Sequence, residues 1–282
     1  MIMFRAGLLC LALATASGCS MREYALRSVG DALAGGGDTY ASDDDLELIG
    51  AATPFGLKTI ETLLAEIPDH AGLLLAATRG FTQYAYVYVQ APAEELEERD
   101  VAAAYAQFER ARRLYVRARE YGRRGLKQQP DNVALLYWTA AASAAAISLS
   151  KDRPDELAGL PEMDKLIRRA EKLDADFDRG TLHSFLISYE MSRPGAGADA
   201  EKISRAHFAR AVELSSGRHA GPYVSLAEAV SVEKRDRREF EALLKQAMQV
   251  DPAAQPEWRL ANLVMQKRAR RLLARADELF PE

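Results

Sequence analysis

The chain has 282 residues, of which 48% are apolar and 28% are charged. This balance is typical of a folded, water-soluble protein and excludes a disordered chain, a collagen-like chain and a polytopic membrane protein. The 37 basic and 41 acidic residues nearly cancel, so no large positive excess indicates nucleic acid as a partner.

Residues 1–18 have the features of a bacterial export signal. The cation Arg5 precedes an uncharged run of Leu, Ala, Gly and Cys, and small residues come directly before Cys19. The run is too short to serve as a permanent membrane anchor. The sequence Ala-Ser-Gly-Cys at residues 16–19 resembles a lipobox, at which a signal peptidase cuts before the cysteine and a diacylglycerol is attached to its thiol. We therefore predict a lipoprotein signal peptide over residues 1–18 and lipidation of Cys19, with an ordinary secretory signal as the alternative.

The chain contains two cysteines, and both fall within the first 19 residues. Cleavage before Cys19 removes Cys10, and lipidation of Cys19 then leaves the mature chain without a free thiol. Disulfide bonds, thiolate metal sites and cysteine catalysis are thereby excluded. Ser20 follows the predicted lipid attachment point, where an aspartate would signal retention in the inner membrane. The predicted location is therefore the periplasmic face of the outer membrane, with attachment through the lipid.

The remainder of the sequence is typical of helices. It has no sustained alternation of apolar and polar residues and no Asn-Gly hairpin. We predict a lipidated N-terminus with a short helix and a Gly/Asp-rich break over residues 19–45, followed by one helical-repeat domain over residues 46–282. Ser42 and the acidic triplet that follows it, residues 43–45, are predicted to cap the start of a helix, with a metal site as the alternative for the triplet. Thr53 and Pro54 are predicted to open the next helix.

Helix-ending signals recur along this domain. They fall near Pro68, Pro130, Ala175, Ser216 and Pro252, at intervals of 62, 45, 41 and 36 residues. These ends resemble the end of the second helix in a tetratricopeptide repeat, whose period is about 34 residues. We therefore predict an all-α fold, built as an array of degenerate tetratricopeptide-like helix pairs with additional long helices.

One of the additional long helices is predicted over residues 94–127. Its first part is acidic, whereas residues 110–127 carry eight cations and one acid. Because this distribution follows the helix dipole, a solvated helix face explains it. A site for an acidic partner or a lipid headgroup is the alternative.

Two further stretches are candidates either for core or for a ligand cavity. Tyr84 and Tyr88 lie on one helical face with Phe81, and such a stripe either packs in the core or lines a cavity in which the hydroxyls meet a ligand. Residues 133–150 carry no charge, but small Ala and Ser residues dominate them. We predict a central buried helix here rather than a membrane span.

No catalytic residue, metal ligand or cofactor site is predicted. Ser148 and Lys151 match the Ser-x-x-Lys pattern of penicillin-recognising acyl enzymes, but the Lys-Thr-Gly and Ser-Asp-Asn partners of that pattern are missing. The four histidines lie far apart in the sequence and form no metal-binding pair. No phosphate-binding loop or dinucleotide fingerprint occurs.

Four segments, spread along nearly the whole mature chain, carry a family resemblance. They are LLLAATRGFTQYAYVYVQ (residues 73–90), ALLYWTAAASAAAISLSKDRPDELAGLP (134–161), AHFARAVELSSGRHAGPYVSLAE (206–228) and PEWRLANLVMQKRARRLLARADELF (256–280). They resemble the T-component lipoproteins of tripartite ATP-independent periplasmic (TRAP) transporters. The resemblance implies a non-enzymatic periplasmic protein that docks a substrate-binding protein and helps to deliver its cargo to membrane subunits driven by an ion gradient. A hydrophobic or lipid-like cargo has been suggested for some members.

Seven candidate cargo contacts lie within these family-like segments. They are Tyr84, Tyr88, Tyr137 and Trp138 for a hydrophobic lining, and Lys151, Arg259 and Asn262 for a polar contact. Ordinary core packing or helix capping is the alternative for all seven. The predicted partners are a periplasmic substrate-binding protein, a hydrophobic small molecule and, through the lipid anchor, the membrane; nucleic acid is not among them, and homo-oligomers are left open. A generic repeat-scaffold lipoprotein for envelope or pilus assembly is the alternative function.

Overall fold

The computed structural model describes residues 21–281, and every regular element in this range is helical. No β-strand occurs between residues 21 and 281, so the all-α prediction is confirmed. The signal peptide at residues 1–18 and Cys19 lie outside the described residues, and the predictions made for them stay predictions.

The helices are numbered in chain order. They are α1 (21–35), α2 (Gly37–Ala41), α3 (Leu46–Glu66), α4 (Ala71–Ala85), α5 (Ala91–Leu96), α6 (Val101–Gln128), α7 (Val133–Ser148), α8 (Pro154–Leu157), α9 (Leu160–Leu173), α10 (Phe177–Ser192), α11 (Ala200–Leu214), α12 (Gly221–Leu226), α13 (Arg237–Gln249), α14 (Arg259–Ala274) and α15 (Ala276–Leu279). Two π-helical segments, Tyr86–Gln90 and Ala227–Ser231, continue α4 and α12, and a 3₁₀ turn, Pro256–Trp258, precedes α14.

The helix predicted to be capped by Ser42 has a different cap. The side chain of Asp45 accepts hydrogen bonds from the amides of Glu47 and Leu48, at 3.0 and 2.9 Å, and α3 begins directly after it. Ser42 instead follows the last residue of α2. A carboxylate accepts from free helix amides at least as well as a hydroxyl does. The prediction that the acidic triplet caps this helix is therefore confirmed through Asp45, whereas Ser42 does not take part in the cap.

Thr53 and Pro54 lie inside α3, so the prediction that they open a helix is also wrong. Because Asp45 has already started the helix, the missing amide of Pro54 removes one backbone hydrogen bond from its interior. The hydroxyl of Thr53 donates to the carbonyl oxygen of Ile49 at 2.6 Å.

The long helix predicted over residues 94–127 is interrupted. α5 ends at Leu96 and α6 begins at Val101, because Asp100 adopts an extended conformation and its carboxylate accepts a hydrogen bond from Ala103 N at 2.9 Å. The acidic and basic stretches therefore belong largely to two consecutive helices instead of one.

The predicted helix ends are confirmed. α3, α6, α9, α11 and α13 each end within three residues of the expected positions. Arginines connect the turns that follow: Arg124 donates to Pro68 O at 2.9 Å, and Arg169 pairs with Asp131. These turns therefore lie along one edge of the array, which we call the turn edge. The interpretation as tetratricopeptide-like pairs stays a prediction.

The helices pack in chain order and the array closes on itself. α4 packs on α3 and α6, α7 on α6 and α9, α10 on α11 and α12, and α13 on α12 and α14. At the end of the chain, α14 contacts α2 and α3. The two ends of the array thus meet.

The uncharged stretch forms α7, the helix at the centre of the packing. It contacts α4, α6, α9 and α10, and most of its side chains are buried, so the predicted central helix is confirmed. The buried hydroxyls of Thr139 and Ser143 donate to the carbonyl oxygens of Leu135 and Thr139, at 2.5 and 2.7 Å. These bonds satisfy both polar groups within the helix. From residue 21 to residue 281, no helix combines the length and the apolar character that a membrane crossing requires.

Two glycines allow α6 and α7 to approach closely. A Cβ atom on Gly122 would overlap Thr139, and one on Gly125 would lie 2.8 Å from Leu135 Cδ2. Rotation of Thr139 gives no relief, because its Cβ and Cγ2 would lie only 3.0 and 3.1 Å from the added atom. The backbone separation of this seam therefore depends on glycine.

We expect the Gly122→Ala substitution to lower the free energy of unfolding by about 1–3 kcal/mol, because the seam must open to admit the methyl group. Thermal unfolding followed by circular dichroism measures the effect, at roughly 2–4 °C per kcal/mol for a chain of this size. Gly35→Ala is the matched control, since it lies at the end of helix α1 and a Cβ there meets nothing within 4 Å. Equal melting temperatures for the two variants would contradict the seam argument.

Candidate functional site

Arg268 lies where α14 meets α5 and the second π-helical segment. From α14, its guanidinium donates two hydrogen bonds to Glu228, at 2.8 and 2.7 Å. Its third nitrogen lies 2.9 Å from Glu94 of α5, which is 174 residues earlier in the chain. Because three charged groups from distant parts of the sequence meet here, we call this cluster the Arg268 junction.

Further ion pairs extend the junction along α14. Arg271 lies 3.2 Å from Glu94, and Arg275 lies 3.1 Å from Glu98. The spacing of residues 268, 271 and 275 puts the three arginines on one helical face. This face is therefore held against α5 and the residues that follow it.

Both π-helical segments of the described chain contribute a side chain to the junction. Tyr86 belongs to the first segment, and its ring centroid lies 5.7 Å from the Arg268 guanidinium carbon, as in a cation–π contact. Glu228 belongs to the second segment. Because π-helical turns occur frequently at functional sites, their meeting at one arginine marks the junction as the candidate site.

Arg268 and Tyr86 have defined protonation states at neutral pH. Burial raises the pKa of Tyr86 to about 12, so its hydroxyl stays protonated at neutral pH. Burial opposes the charge on Arg268, but Tyr86, Glu228 and Glu94 together raise its pKa above the ordinary value. The guanidinium therefore remains a fixed cation with two carboxylates as partners.

A pocket of about 480 Å³ opens beside the junction. It is lined by Ser188, Met191, Ser192, Glu228, Ala229, Glu233 and Arg268. It is a shallow groove, largely open to solvent. Hydroxyls, two carboxylates, an arginine and a methionine in one lining can hold a molecule that has both polar and apolar parts.

The predicted tyrosine pair is brought together in space. The rings of Tyr84 and Tyr88 lie 5.6 Å apart, and the hydroxyl of Tyr88 donates to Leu46 O at 2.9 Å. Burial raises the pKa of Tyr88 to about 12. Tyr88 therefore helps to fix the start of α3, and a role of either tyrosine in cargo binding stays a prediction.

The second predicted pair lies in an aromatic cluster between α7 and α10. The ring of Tyr137 lies 5.1 Å from Trp138, 5.5 Å from Phe177 and 6.2 Å from Phe185. Tyr137 is buried, and burial raises its pKa, whereas Trp138 is half-buried. This pair packs in a different cluster of side chains from Tyr84.

The three residues predicted to make polar contacts have different roles in the structure. Lys151 is exposed in the turn after α7. Arg259 donates to Ser42 O at 3.0 Å and so helps to join α14 to α2. Asn262 is fully buried, where its oxygen accepts from an amide and its nitrogen donates to a carbonyl, both of the turn before α12 and both at 2.9 Å. Structural bonds thus occupy Arg259 and Asn262, and cargo contact by any of the three stays a prediction.

A strained turn at the start of α10 was not predicted from the sequence. Asp178, Arg179 and Gly180 adopt left-handed conformations with φ of 48°, 50° and 102°, which costs roughly 1–2 kcal/mol for each non-glycine residue. The Arg179 guanidinium lies 4.2 Å from the ring centroid of Trp258 and pairs with Glu257. Backbone strain of this kind occurs at functional sites, but Gly180 was the only sequence signal for it.

Two histidines that are far apart in the sequence also meet. The Nδ1 atoms of His183 and His207 lie 2.8 Å apart between α10 and α11, and burial lowers the pKa of both. One neutral ring can therefore donate to the other. No third histidine, cysteine or carboxylate joins them in a metal-binding group, and no other such group occurs within the part of the chain that the structure describes.

Comparison with known proteins identifies the relatives of this chain. The sequence profile of the family described as TRAP transporter T-component matches residues 42–132 and 128–280. An uncharacterized protein of Treponema pallidum (strain Nichols) is 28% identical over an alignment 308 positions long, gaps included, which covers 94% of each chain. The similarity thus extends over nearly the whole length of both proteins.

We expect Arg268→Ala to lower the free energy of unfolding by about 3 kcal/mol, because the largely buried Glu228 loses the guanidinium that pairs with it. Glu94 keeps its pair with Arg271. Arg268→Lys should lower the free energy of unfolding by less than Arg268→Ala does, since it keeps the charge but loses the bidentate geometry. Denaturant unfolding measures both.

Arg22→Ala is the matched control, because Arg22 forms an exposed pair with Glu66. Loss of an exposed pair changes stability by less than about 1 kcal/mol. A loss at position 268 no larger than that at position 22 would show that the junction does not hold the array closed.

Proposed function

The chain belongs to the TRAP transporter T-component family, and on that premise we propose that it is a non-enzymatic lipoprotein of a TRAP-type uptake system. It docks a periplasmic substrate-binding protein and passes on a hydrophobic small-molecule cargo. The observation that carries the proposal is the family match, which spans residues 42–280 with a short overlap near residue 130. The closed, all-helical array supplies the rigid surfaces that such docking requires.

The docking surface proposed for the substrate-binding protein includes the outer face of α3. Phe55 is 80% exposed and Leu48 is 56% exposed, and their separation of seven residues puts them on one helical face. Exposed apolar side chains grouped on a helix are typical of protein interaction sites. Because Phe55 has few contacts to lose, its replacement tests docking without disturbing the fold.

The proposed cargo contacts are the four aromatic residues and the exposed lysine. Trp138, which is half-buried, supports a hydrophobic cargo, because an aromatic ring presents apolar surface together with a polar edge. Tyr137 is buried beside it and would meet cargo only if the cluster opened. Tyr84 and Tyr88 form a second aromatic surface of the same kind. Lys151 is the most accessible of the three predicted polar contacts, since structural bonds engage Arg259 and Asn262.

Catalysis forms no part of the proposal. The hydroxyl of Ser148 donates to Ala145 O at 2.9 Å, as a serine at a helix end commonly does. Lys151 lies in the exposed turn that follows. The Ser-x-x-Lys spacing is therefore explained by the end of α7.

The lipid anchor on Cys19 is proposed to hold the protein on the periplasmic face of the outer membrane. Mass spectrometry of the native protein should find an N-terminal peptide that starts at Cys19 and carries acyl chains. Cys19→Ser should release the protein into the soluble periplasmic fraction, because the thiol that receives the lipid is missing. An unmodified Cys19 would refute the anchor.

The docking role predicts a stable complex between the mature domain and the substrate-binding protein encoded beside it. Co-purification and titration calorimetry measure this complex. Phe55→Ser should weaken binding by about tenfold, or 1.4 kcal/mol, because it removes apolar contact area. Leu173→Ser, an exposed apolar position on α9, should leave the affinity unchanged.

Failure of the two proteins to bind would exclude the docking role. A generic repeat scaffold that serves envelope or pilus assembly would then be the better description. Equal loss of affinity in both serine variants would show that the outer face of α3 is not the docking surface.

A further inference from the structure

The first described helix, α1, exposes apolar side chains. Met21 and Tyr24 are 69% and 71% exposed, and Val29 and Leu33 are also exposed. Ala25, Ser28 and Ala32 lie on the same outward side and are exposed as well. An uncharged face therefore runs along most of the 15 residues of α1, a length of about 22 Å.

The opposite face holds α1 firmly on the domain. Leu26 and Ala34 pack against the side-chain cluster of α3 and α4. Gly30 is buried there, and a Cβ on it would lie 2.9 Å from His70 Nε2. The outward direction of the uncharged face is therefore determined by close packing.

Charged side chains of α1 flank the uncharged face and pair with groups of the domain. Arg22 pairs with Glu66 at 2.7 Å, and Arg27 pairs with Asp69 at 2.9 Å. Both partners lie at the turn between α3 and α4. The carboxylate of Asp31 likewise lies 3.3 Å from the ring of His70. The side chains of Arg22 and Asp31 are nevertheless 69% and 80% exposed, so charged groups border the uncharged face and stay in contact with water.

We propose that α1 lies flat on the bilayer surface, with its uncharged face among the lipid headgroups. This inference rests on the proposed lipidation of Cys19. Met21 is two residues from that cysteine, which limits its distance from the acyl attachment point to about 7 Å of extended chain. Tyr24 suits this position, because its ring is apolar and its hydroxyl reaches water at the interface. The helix then adds apolar contact to the acyl anchor.

The contact also orients the domain. α1 is fastened to the turn between α3 and α4, which belongs to the turn edge. The turn edge at this end of the array therefore faces the membrane. The beginnings of α3 and α6, at the opposite ends of these helices, point into the periplasm, where a soluble partner has access.

Site-directed spin labelling of the full lipidated protein tests the contact. The processed chain has no free thiol, so Ser28→Cys introduces a unique site for a nitroxide on the uncharged face of α1. Ser148→Cys is the matched control. Both serines are exposed, and both donate to a carbonyl one turn earlier, at 3.0 Å for Ser28 and 2.9 Å for Ser148.

The labelled proteins are reconstituted in phosphatidylethanolamine–phosphatidylglycerol vesicles, and mass spectrometry checks the lipid on Cys19. Oxygen concentrates in the bilayer, whereas a neutral nickel chelate stays in water. We expect the ratio of oxygen to nickel accessibility to rise several-fold at residue 28 relative to residue 148.

The possible results test the bilayer contact of α1 and the lipid anchor on Cys19 independently. Equal accessibility ratios at the two positions, in protein whose Cys19 carries lipid, overturn the contact and leave the anchor intact. Dipolar broadening between labels at residue 28 would show that α1 contacts α1 of a second copy. That result would contradict the bilayer contact. An unmodified Cys19 overturns the anchor together with the contact that rests on it.

Discussion

The ion cluster of Arg268 with Glu94 and Glu228 is the interaction on which the architecture depends. Helical arrays built by stacking neighbours are open at both ends, because each helix contacts only the next. Here α14 returns to α5, and one guanidinium bonds to carboxylates from both halves of the chain. The two π-helical segments contribute to this contact between α14 and the first half of the chain. The π-helical segments bring Tyr86 and Glu228 to the arginine, and both would point elsewhere along a regular α-helix.

Closure leaves the protein with two kinds of surface. The interior seams use small residues and locally bonded hydroxyls, as between α6 and α7, where Gly122 meets Thr139. The apolar side chains that remain outside are concentrated on α1 and on the outer faces of α3 and α6. These faces point in different directions along the helices. The proposed membrane contact uses the face of α1, and the proposed docking surface uses the outer face of α3.

Local features of the fold were largely predictable. The ends of α3 and α6 follow from Pro68 and Pro130, because proline lacks the amide that a continuing helix needs. Pro54, which lies inside α3, shows that this signal is not absolute. Cap choice was harder, since Ser42 and Asp45 compete over four residues and only the folded chain shows which one accepts the amides. The aromatic pairs were also predictable as pairs, because helical spacing or adjacency in the sequence brings their rings together.

The sequence by itself determined that the described chain is helical, where most of its helices end, and that the uncharged stretch is central. These properties depend on residues within a few helical turns of one another. The spacing of apolar residues and the positions of proline and capping residues therefore predict them. Only the tertiary structure decided that Arg268 meets Glu94, that His183 meets His207 and that Arg179 lies over Trp258. Helical periodicity shows which face of a helix is buried but not which helix covers it, so contacts between residues far apart in the sequence emerge only when the array is packed.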